Sequence, residues 1–154
     1  MRPLPKLMVA PNGARKTKAD HPALPITLDE ILTEAVNCHK AGADGIHLHV
    51  RGKDGGHILD AGLYREAIDA LRASAPDLLV QITTEAVGRY SPKEQLKIVE
   101  DVRPEYASIS LAEMCEGGDL AAAVGFYARC ADANIAVQHI LYGPQDLVLM
   151  TELL

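Results

Sequence analysis

The sequence alternates short aliphatic and β-branched runs with longer amphipathic segments, and this alternation constrains the fold more than any other feature. Strand-type runs lie at residues 7–10, 45–50, 78–84, 106–111 and 135–141. Between them, apolar residues recur three and four positions apart, which is the helical period. Strands that alternate with helices form right-handed βαβ units, so the pattern predicts an α/β fold with a parallel sheet.

Two of the predicted helices begin with a capping box, in which a hydroxyl and a carboxylate satisfy each other's free backbone N–H groups. Thr27 pairs in this way with Glu30, and Ser91 with Glu94. The other helices are predicted at about residues 60–74 and 120–133, and from Pro144 onward. Each of the five predicted strands is therefore followed by a helix.

Two parallel architectures, the doubly wound sheet and the eight-stranded barrel, fit this alternation. A dinucleotide-binding sheet should carry a glycine-rich fingerprint after its first strand, but residues 10–15 read Ala-Pro-Asn-Gly-Ala-Arg. The later strands carry polar residues at alternate positions toward their C-terminal ends, where a TIM barrel places its active site. The sequence therefore predicts the N-terminal portion of a TIM (β/α)8 barrel, with about five β/α units.

The length bears on how much of the barrel is present. A complete barrel needs about 250 residues, whereas this sequence has 154. We expect residues 1–154 to form a single, incomplete barrel domain that is truncated at its C-terminus.

His47 and His49 are the first candidates for a functional site. They are two residues apart on the second predicted strand, so their side chains point to the same face. Two imidazoles in this arrangement can converge on one divalent metal, most often zinc. The alternative interpretation is a pair of hydrogen-bonded interior histidines.

Polar side chains on the neighbouring strands predict a pocket around this pair. Buried polar groups cost free energy unless they are hydrogen-bonded, so polar residues at the same end of four strands suggest a binding site. The candidates for substrate binding are Asn12, Arg15, Thr83, Glu85, Ser108 and Ser110. Glu85 is open to two interpretations: a third metal ligand, or a loop carboxylate paired with Arg89.

Other polar residues are less informative. Gln138 and His139 lie on opposite faces of the fifth strand, and either could face the pocket. The remaining histidines (His21, His39 and His57) are expected at the surface. Arg15 opens a basic run over residues 15–18, which is either a solvated loop or an anion clamp.

Charge and composition exclude several classes of partner. The net charge is −6 with both signs interspersed, which gives no footprint for nucleic acid. No apolar run approaches the roughly 18 residues of a membrane span, and prolines interrupt the start where a signal peptide would be apolar. Three widely spaced cysteines, at positions 38, 115 and 130, are typical of a reducing compartment. We therefore expect a cytoplasmic protein.

Three segments carry a resemblance to a known family. Residues 10–17, 47–51 and 81–88 resemble the β-keto acid cleavage enzymes, a family that includes 3-keto-5-aminohexanoate cleavage enzyme. The resemblance implies a TIM-barrel fold and a divalent metal, usually zinc. It also implies acyl transfer between a β-keto acid and acetyl-CoA, which yields acetoacetate and a new acyl-CoA. We expect these small molecules as partners, and a homo-oligomer.

The resemblance also assigns roles to individual residues. His47 and His49 match the family's two histidine ligands, and Thr83 and Ser108 match hydroxyl residues that contact the substrate. Arg15 stands where the lysine-fermentation member has a glutamate that recognises an amino group. The family's third ligand, a glutamate, and its catalytic arginine and aspartate are expected beyond Leu154.

Two other functional classes stay open. A metal-dependent hydrolase of the amidohydrolase type also uses two histidines one residue apart, although usually on its first strand and with a lysine on a middle strand. A non-catalytic metal-binding or assembly fragment is the third interpretation.

Overall fold

The computed structural model describes residues 2–153, and its centre is one sheet of five parallel strands. The strands are β1 (Met8–Val9), β2 (Gly45–Leu48), β3 (Leu79–Thr83), β4 (Tyr106–Ser110) and β5 (Ala136–Ile140). They lie in sequence order, and each pairs in parallel with the next. A doubly wound sheet would reverse its order at a switch point, so the sequential order is that of a barrel.

Helices follow the strands as the sequence predicts, with one addition. The helices are α1 (Leu28–Lys40), α2 (Ala61–Ser74), α3 (Pro92–Val102), α4 (Leu111–Met114), α5 (Leu120–Asp132) and α6 (Pro144–Leu153). Both predicted capping boxes are present, at Thr27 and Ser91. The short helix α4 was not predicted. It begins at Leu111 because the Ser110 hydroxyl accepts from Glu113 N and caps a new turn.

The predicted strands were too long at their ends. Of the first predicted strand, residues 7–10, only Met8 and Val9 form a strand in the structure. The second strand ends at Leu48 rather than at residue 50. His49 therefore lies directly after β2, where the chain leaves the sheet. Strand ends are set by hydrogen bonding to neighbours, which alternation alone does not reveal.

The hydrophobic core lies between the outer face of the sheet and the helices. Ile46, Leu48, Ile82 and Ile109 point outward from the strands and are fully buried. They belong to two core clusters whose other members are mainly apolar residues of the helices. Packing at native density makes such positions sensitive to the loss of single methylene groups.

The inner face of the sheet carries the polar residues. Gln81 of β3 donates from Nε2 to Gln138 Oε1 of β5 at 2.8 Å, although β4 lies between these strands. Side chains of alternate strands meet in this way only when the sheet curves, as in the side-chain layers inside a TIM barrel. His139, one residue further along β5, points outward, with its ring centroid 4.9 Å from that of Tyr127. The open question about β5 is thus resolved: Gln138 faces inward.

The N-terminal segment runs along the opposite, amino-terminal edge of the sheet. Tyr106 Oη donates to Pro3 O at 2.8 Å, and Arg2 Nε donates to Asn134 O. Arg2 also forms an ion pair with Glu105 at 3.1 Å. A Cβ on Gly45 would lie 2.7 Å from Pro5 Cβ, so this close approach requires glycine.

Candidate functional site

A small cavity of about 50 Å³ lies at the carboxyl-terminal edge of the strands. Because parallel strands all end at this edge, residues at the ends of β2, β3, β4 and β5 meet there. The lining residues are His47, Thr83, Thr84, Glu85, Ser108, Ser110, Glu113, Ile140 and Tyr142. Five of the predicted site residues therefore share one cavity, while His49, Asn12 and Arg15 lie beside it.

His47 and His49 converge as their spacing predicts. Their Nε2 atoms are 3.0 Å apart, and their rings meet edge to face at 72°. His47 Nδ1 lies 2.7 Å from Gln81 Oε1. This hydrogen bond to the Gln81 amide holds the His47 ring in its orientation toward His49.

Burial keeps both imidazoles neutral. It is the largest cause of a lowered pKa at His47, and it lowers the pKa of His49 to about 2. Electrostatic repulsion from His47 and His57 in their protonated forms, and from Arg51, also lowers the His49 pKa. A neutral imidazole is the form that binds a metal, so the electrostatics of the site favour ligation.

The geometry fits two ligands of a tetrahedral metal. Two nitrogens bound to one zinc at about 2.0–2.1 Å would be roughly 3.3–3.4 Å apart, and the observed Nε2 separation is 3.0 Å. A shift of a few tenths of an ångström would admit the ion. Within residues 2–153, however, no group of three His, Cys, Asp or Glu side chains is placed to hold a metal.

Glu85 lies next to His49 Nδ1, on the side of the ring away from His47. Its Oε2 is 4.0 Å from His49 Nδ1, and its Oε1 is 3.5 Å from Arg15 Nε. The interpretation of Glu85 as the partner of Arg89 is wrong, because its ion pair is with Arg15. The guanidinium of Arg89 instead lies over the Tyr90 ring, 5.3 Å from its centroid.

Three polar atoms beside the histidines are buried without a hydrogen-bond partner in the described part of the chain. They are Ser108 Oγ, Asn12 Oδ1 and His49 Nδ1. Asn12 is held in place by its amide nitrogen, which donates to His49 O at 2.9 Å. Buried polar atoms are rarely left unpaired, so these three are positions where a ligand or water is expected.

The other two hydroxyls already have structural partners. Thr83 Oγ1 accepts from Glu85 N at 3.0 Å, and Ser110 Oγ accepts from Glu113 N as the cap of α4. Each hydroxyl proton is still available to donate. Thr83 and Ser110 therefore keep their hydroxyl proton and one lone pair for a substrate, whereas both lone pairs of Ser108 are free.

The prediction that His57 lies at the surface is wrong. His57 is 4% exposed, its Nε2 lies 3.0 Å from Glu85 O, and its ring packs against that of His49. A glycine-rich turn after β2 folds the chain back, so that His57 pairs with Arg51 in an antiparallel bridge. The run Gly-Lys-Asp-Gly-Gly at 52–56 was the available signal for this turn.

Arg51 is a second residue that the sequence analysis missed. It is 7% exposed, and its guanidinium donates to four backbone carbonyls. The acceptors are Asn12 O at 3.4 Å, Gly13 O at 2.7 Å, Lys16 O at 3.0 Å and Gly55 O at 2.7 Å. These bonds hold the loop after β1, and with it Asn12, against the end of β2.

The residues of the basic run at 15–18 differ in which of the two predicted roles, solvated loop or anion clamp, they fit. Lys16 pairs with Asp20 and Lys18 with Glu30, as in a solvated surface loop. The Arg15 side chain is 75% exposed and faces Glu85 beside the cavity. Only Arg15 is thus placed to act on a ligand.

The remaining features lie away from the histidine pair. A groove of about 500 Å³ between α3 and α5 contains none of the predicted site residues, and an ion pair of Arg129 with Glu100 lies along it. The three cysteines are free thiols, and burial raises the pKa of each. No helix in residues 2–153 is long and apolar enough to cross a bilayer.

Comparison with known proteins agrees with the resemblance seen in the sequence. Residues 6–154 match the family model described as beta-keto acid cleavage enzyme. The chain is 39% identical over 107 residues to 3-keto-5-aminohexanoate cleavage enzyme of Fusobacterium nucleatum, which covers 70% of this chain and 39% of that relative. It is 34% identical over 106 residues to 3,5-dioxohexanoate:acetyl-CoA acetone transferase of Paraburkholderia graminis, covering 68% and 34%.

A solved structure supports the fold. ObcA in its binary complex with oxaloacetate superposes with a TM-score of 0.69 at 21% identity, over 86% of this chain and 34% of that one. The barrel-type α/β prediction is thereby confirmed. The chain spans between a third and two fifths of the length of the curated relatives described above. Sequence, strand order and family match agree, and the chain belongs to the beta-keto acid cleavage enzyme family.

Proposed function

We propose that this chain supplies the metal- and substrate-binding residues of an enzyme that transfers an acyl group between a β-keto acid and acetyl-CoA. The products would be acetoacetate and a new acyl-CoA. Family membership supports this proposal, as does the name of the Paraburkholderia graminis relative, which includes acetyl-CoA. The observation that carries it is the convergence of the His47 and His49 Nε2 atoms, 3.0 Å apart, beside a polar cavity.

In this proposal His47 and His49 hold a divalent metal. Zinc is the favoured ion because it prefers nitrogen ligands at this geometry. When bound, such a cation polarises the keto oxygen of the substrate and stabilises the negative charge that develops there. The histidines contribute by staying neutral, since burial lowers the pKa of both.

The polar residues around the pair would orient the substrate. The Ser108 hydroxyl is buried without a partner, so it can donate to a substrate carboxylate or carbonyl at no cost to existing contacts. The free atom of Asn12 is its amide oxygen, which can accept from a substrate N–H or O–H group. Thr83 and Ser110 can donate their hydroxyl protons. Precise orientation of reacting groups is itself a large part of catalysis, so these contacts belong to the mechanism.

Arg15 and Glu85 would act on the substrate tail. Their ion pair lies beside the cavity and is accessible to solvent. A guanidinium is permanently charged, so Arg15 favours a neutral or carboxylate-ended tail over an ammonium. The amino substrate named for the Fusobacterium nucleatum relative is therefore not the one we propose here.

Metal analysis tests the proposal. In equilibrium dialysis against zinc, the unsubstituted protein should bind metal, and the double variant His47→Ala/His49→Ala should bind little. His21→Ala is the matched control, because His21 is exposed and lies in a loop. Equal zinc in the protein and in the double variant would contradict the proposal.

Family membership argues against the amidohydrolase interpretation, and β3, β4 and β5 contain no lysine. A cytoplasmic location, a homo-oligomeric assembly and the single-domain extent 1–154 stay predictions.

A further inference from the structure

A second carboxylate, that of Glu113, lines the cavity and has no role in the proposed function as described so far. Glu113 belongs to the short helix α4, which begins where β4 ends. Its Oε2 accepts from Ala86 N at 3.0 Å and from Gln95 Nε2 at 2.8 Å. The Gln95 side chain is fully buried, and its Nε2 also donates to Thr84 O at 2.7 Å. The Glu113 carboxylate is therefore held in a fixed position at the cavity wall.

The other oxygen of this carboxylate has no partner. Among residues 2–153, Oε1 takes part in no hydrogen bond, and Glu113 forms no ion pair. Glu85, the other carboxylate of the cavity, is instead paired with Arg15. A carboxylate oxygen can only accept a hydrogen bond. Glu113 thus offers a charged acceptor to a ligand that enters the cavity.

We propose that Glu113 selects a β-keto acid whose tail carries a hydroxyl group, by accepting a hydrogen bond from that hydroxyl. The inference rests on the proposed function, because it names the substrate class of the same site. It narrows the neutral or carboxylate-ended tail that Arg15 favours to a neutral tail with a donor. Glu113 would contact the tail rather than the reacting atoms, so its role is to determine specificity.

The hydrogen-bonding groups of the cavity match such a substrate. Ser108, Thr83 and Ser110 each have a hydroxyl proton to donate, which suits the keto and carboxylate oxygens of a β-keto acid. Those oxygens cannot bond to Glu113, because they are acceptors as well. A substrate without a donor would leave the charged Oε1 unpaired in a confined site, which costs free energy. A hydroxyl on the tail removes this cost.

The charges around the cavity disfavour the two ionic kinds of tail. Burial raises the pKa of Tyr142, which also lines the cavity. The carboxylates of Glu113 and Glu85 raise this pKa further and Arg15 lowers it, so the three charges act on one place. A carboxylate tail would meet two carboxylates and a guanidinium that is already paired. An ammonium tail would be repelled by that guanidinium, whereas a hydroxyl carries no charge and can still donate.

Two ligands with neutral tails test the proposal. One is acetoacetate with a hydroxyl group on its terminal carbon, and the other is the methyl ether of that compound, which can accept but cannot donate. Their dissociation constants are measured by NMR titration of the labelled protein, at one fixed concentration of free zinc. In the unsubstituted protein we expect the hydroxylated ligand to bind about 10-fold more tightly, as for a hydrogen bond to a charged group.

Glu113→Gln removes the free acceptor with little change in shape. The amide oxygen can still accept from Ala86 N and Gln95 Nε2, so the amide nitrogen, which only donates, takes the place of Oε1. We expect the preference for the hydroxylated ligand to disappear. The two ligands differ in size equally in both proteins, so a change in the ratio of affinities reports the lost acceptor. Glu116→Gln is the matched control, because Glu116 is exposed and does not line the cavity.

The outcomes distinguish this inference from the proposed function. Equal affinity for the two ligands in the unsubstituted protein would overturn the inference, whether or not the Glu113 variant folds. An equal preference in the unsubstituted protein and in Glu113→Gln would also overturn it, and would assign the preference to ligand size. Binding of either ligand in these two cases would leave the proposed function standing. If neither ligand binds to protein that holds zinc, the proposed function fails and the inference fails with it.

Discussion

The surroundings of each ionisable side chain beside the cavity determine how that side chain acts. Burial, and electrostatic repulsion from its neighbours, lower the pKa of His49 to about 2, so this ring is neutral at neutral pH. Arg15, by contrast, is 75% exposed on its side chain and meets a carboxylate at 3.5 Å. Desolvation therefore controls the charge state of His49, whereas Arg15 acts through a solvent-exposed ion pair with Glu85.

Arg15→Glu should change which substrate tail the protein prefers. For ligands with an ammonium or a carboxylate tail, we expect the ratio of binding constants to shift by about 2- to 5-fold toward the ammonium, as for exposed ion pairs. The measurement is calorimetric titration of the zinc-loaded protein with one ligand of each kind. Lys18→Glu is the matched control, since Lys18 pairs with Glu30 away from the cavity. An unchanged ratio would show that Arg15 is only part of a solvated loop.

At the level of helices, strands and loops, the sequence predicts local features well and tertiary ones poorly. The capping boxes at Thr27 and Ser91 were predictable because all their partners lie within four residues. The burial of His57 was not, because it depends on how the turn after β2 packs against Glu85, 28 residues further along the chain. Ser110 was predicted as a substrate contact from its strand face, but its role as a cap appears only where β4 ends.

The capping box of α1 should make stability depend on pH. The Glu30 carboxylate accepts from Lys18, Ile26 N and Thr27 N, and these bonds lower its pKa to about 2 from a usual value of 4.5. A group whose folded pKa is lowered stabilises the fold above its unfolded pKa, and this contribution is lost as the pH falls toward about 2. Glu30→Gln should therefore unfold at lower urea at pH 7, and the difference should shrink below pH 4.5.

Asp29→Asn provides the control for this experiment. Asp29 lies in the same first turn but accepts none of the three bonds that hold Glu30. Its substitution reports only the general effect of removing a negative charge near the helix N-terminus. If both variants lose the same stability with the same pH profile, the capping box is not the cause.

Arg51→Lys should loosen the loop after β1. A lysine keeps the charge but cannot fork its donors among the carbonyls of Gly13, Lys16 and Gly55. We expect faster amide hydrogen exchange in residues 12–16, measured by mass spectrometry, with little change in α3. Arg65→Lys is a control, because Arg65 donates to a single backbone carbonyl, that of Asp101. Equal exchange in the protein and in the Arg51 variant would show that the loop is held by other contacts.

For the molecule as a whole, the barrel architecture was predictable from the sequence. The side-chain contact between the non-adjacent strands β3 and β5 was not. Polar residues at alternate positions of three strands distinguished a barrel from a doubly wound sheet. The bond between Gln81 and Gln138 depends on the curvature of the sheet, which brings β3 and β5 together across β4. No local sequence pattern encodes that distance.

The polypeptide of residues 1–154 should be a weak zinc binder and a poor catalyst by itself. Catalytic zinc sites use three protein ligands, and residues 2–153 contain no cluster of three suitable side chains. We expect bound zinc to exchange readily with a chelator, and acetoacetate release from a β-keto acid and acetyl-CoA to stay near background. A turnover of about 1 s⁻¹ or more, typical of enzymes, would contradict this expectation.

The contacts of the N-terminal segment have a consequence for how the chain folds. Tyr106 Oη reaches Pro3 O across 103 positions of sequence, and Arg2 reaches Asn134 across 132. Contacts that close such long loops are entropically costly until the intervening strands are in place, so they form late. The segment at residues 2–3 is therefore expected to dock late, after β4 and β5 have joined the sheet.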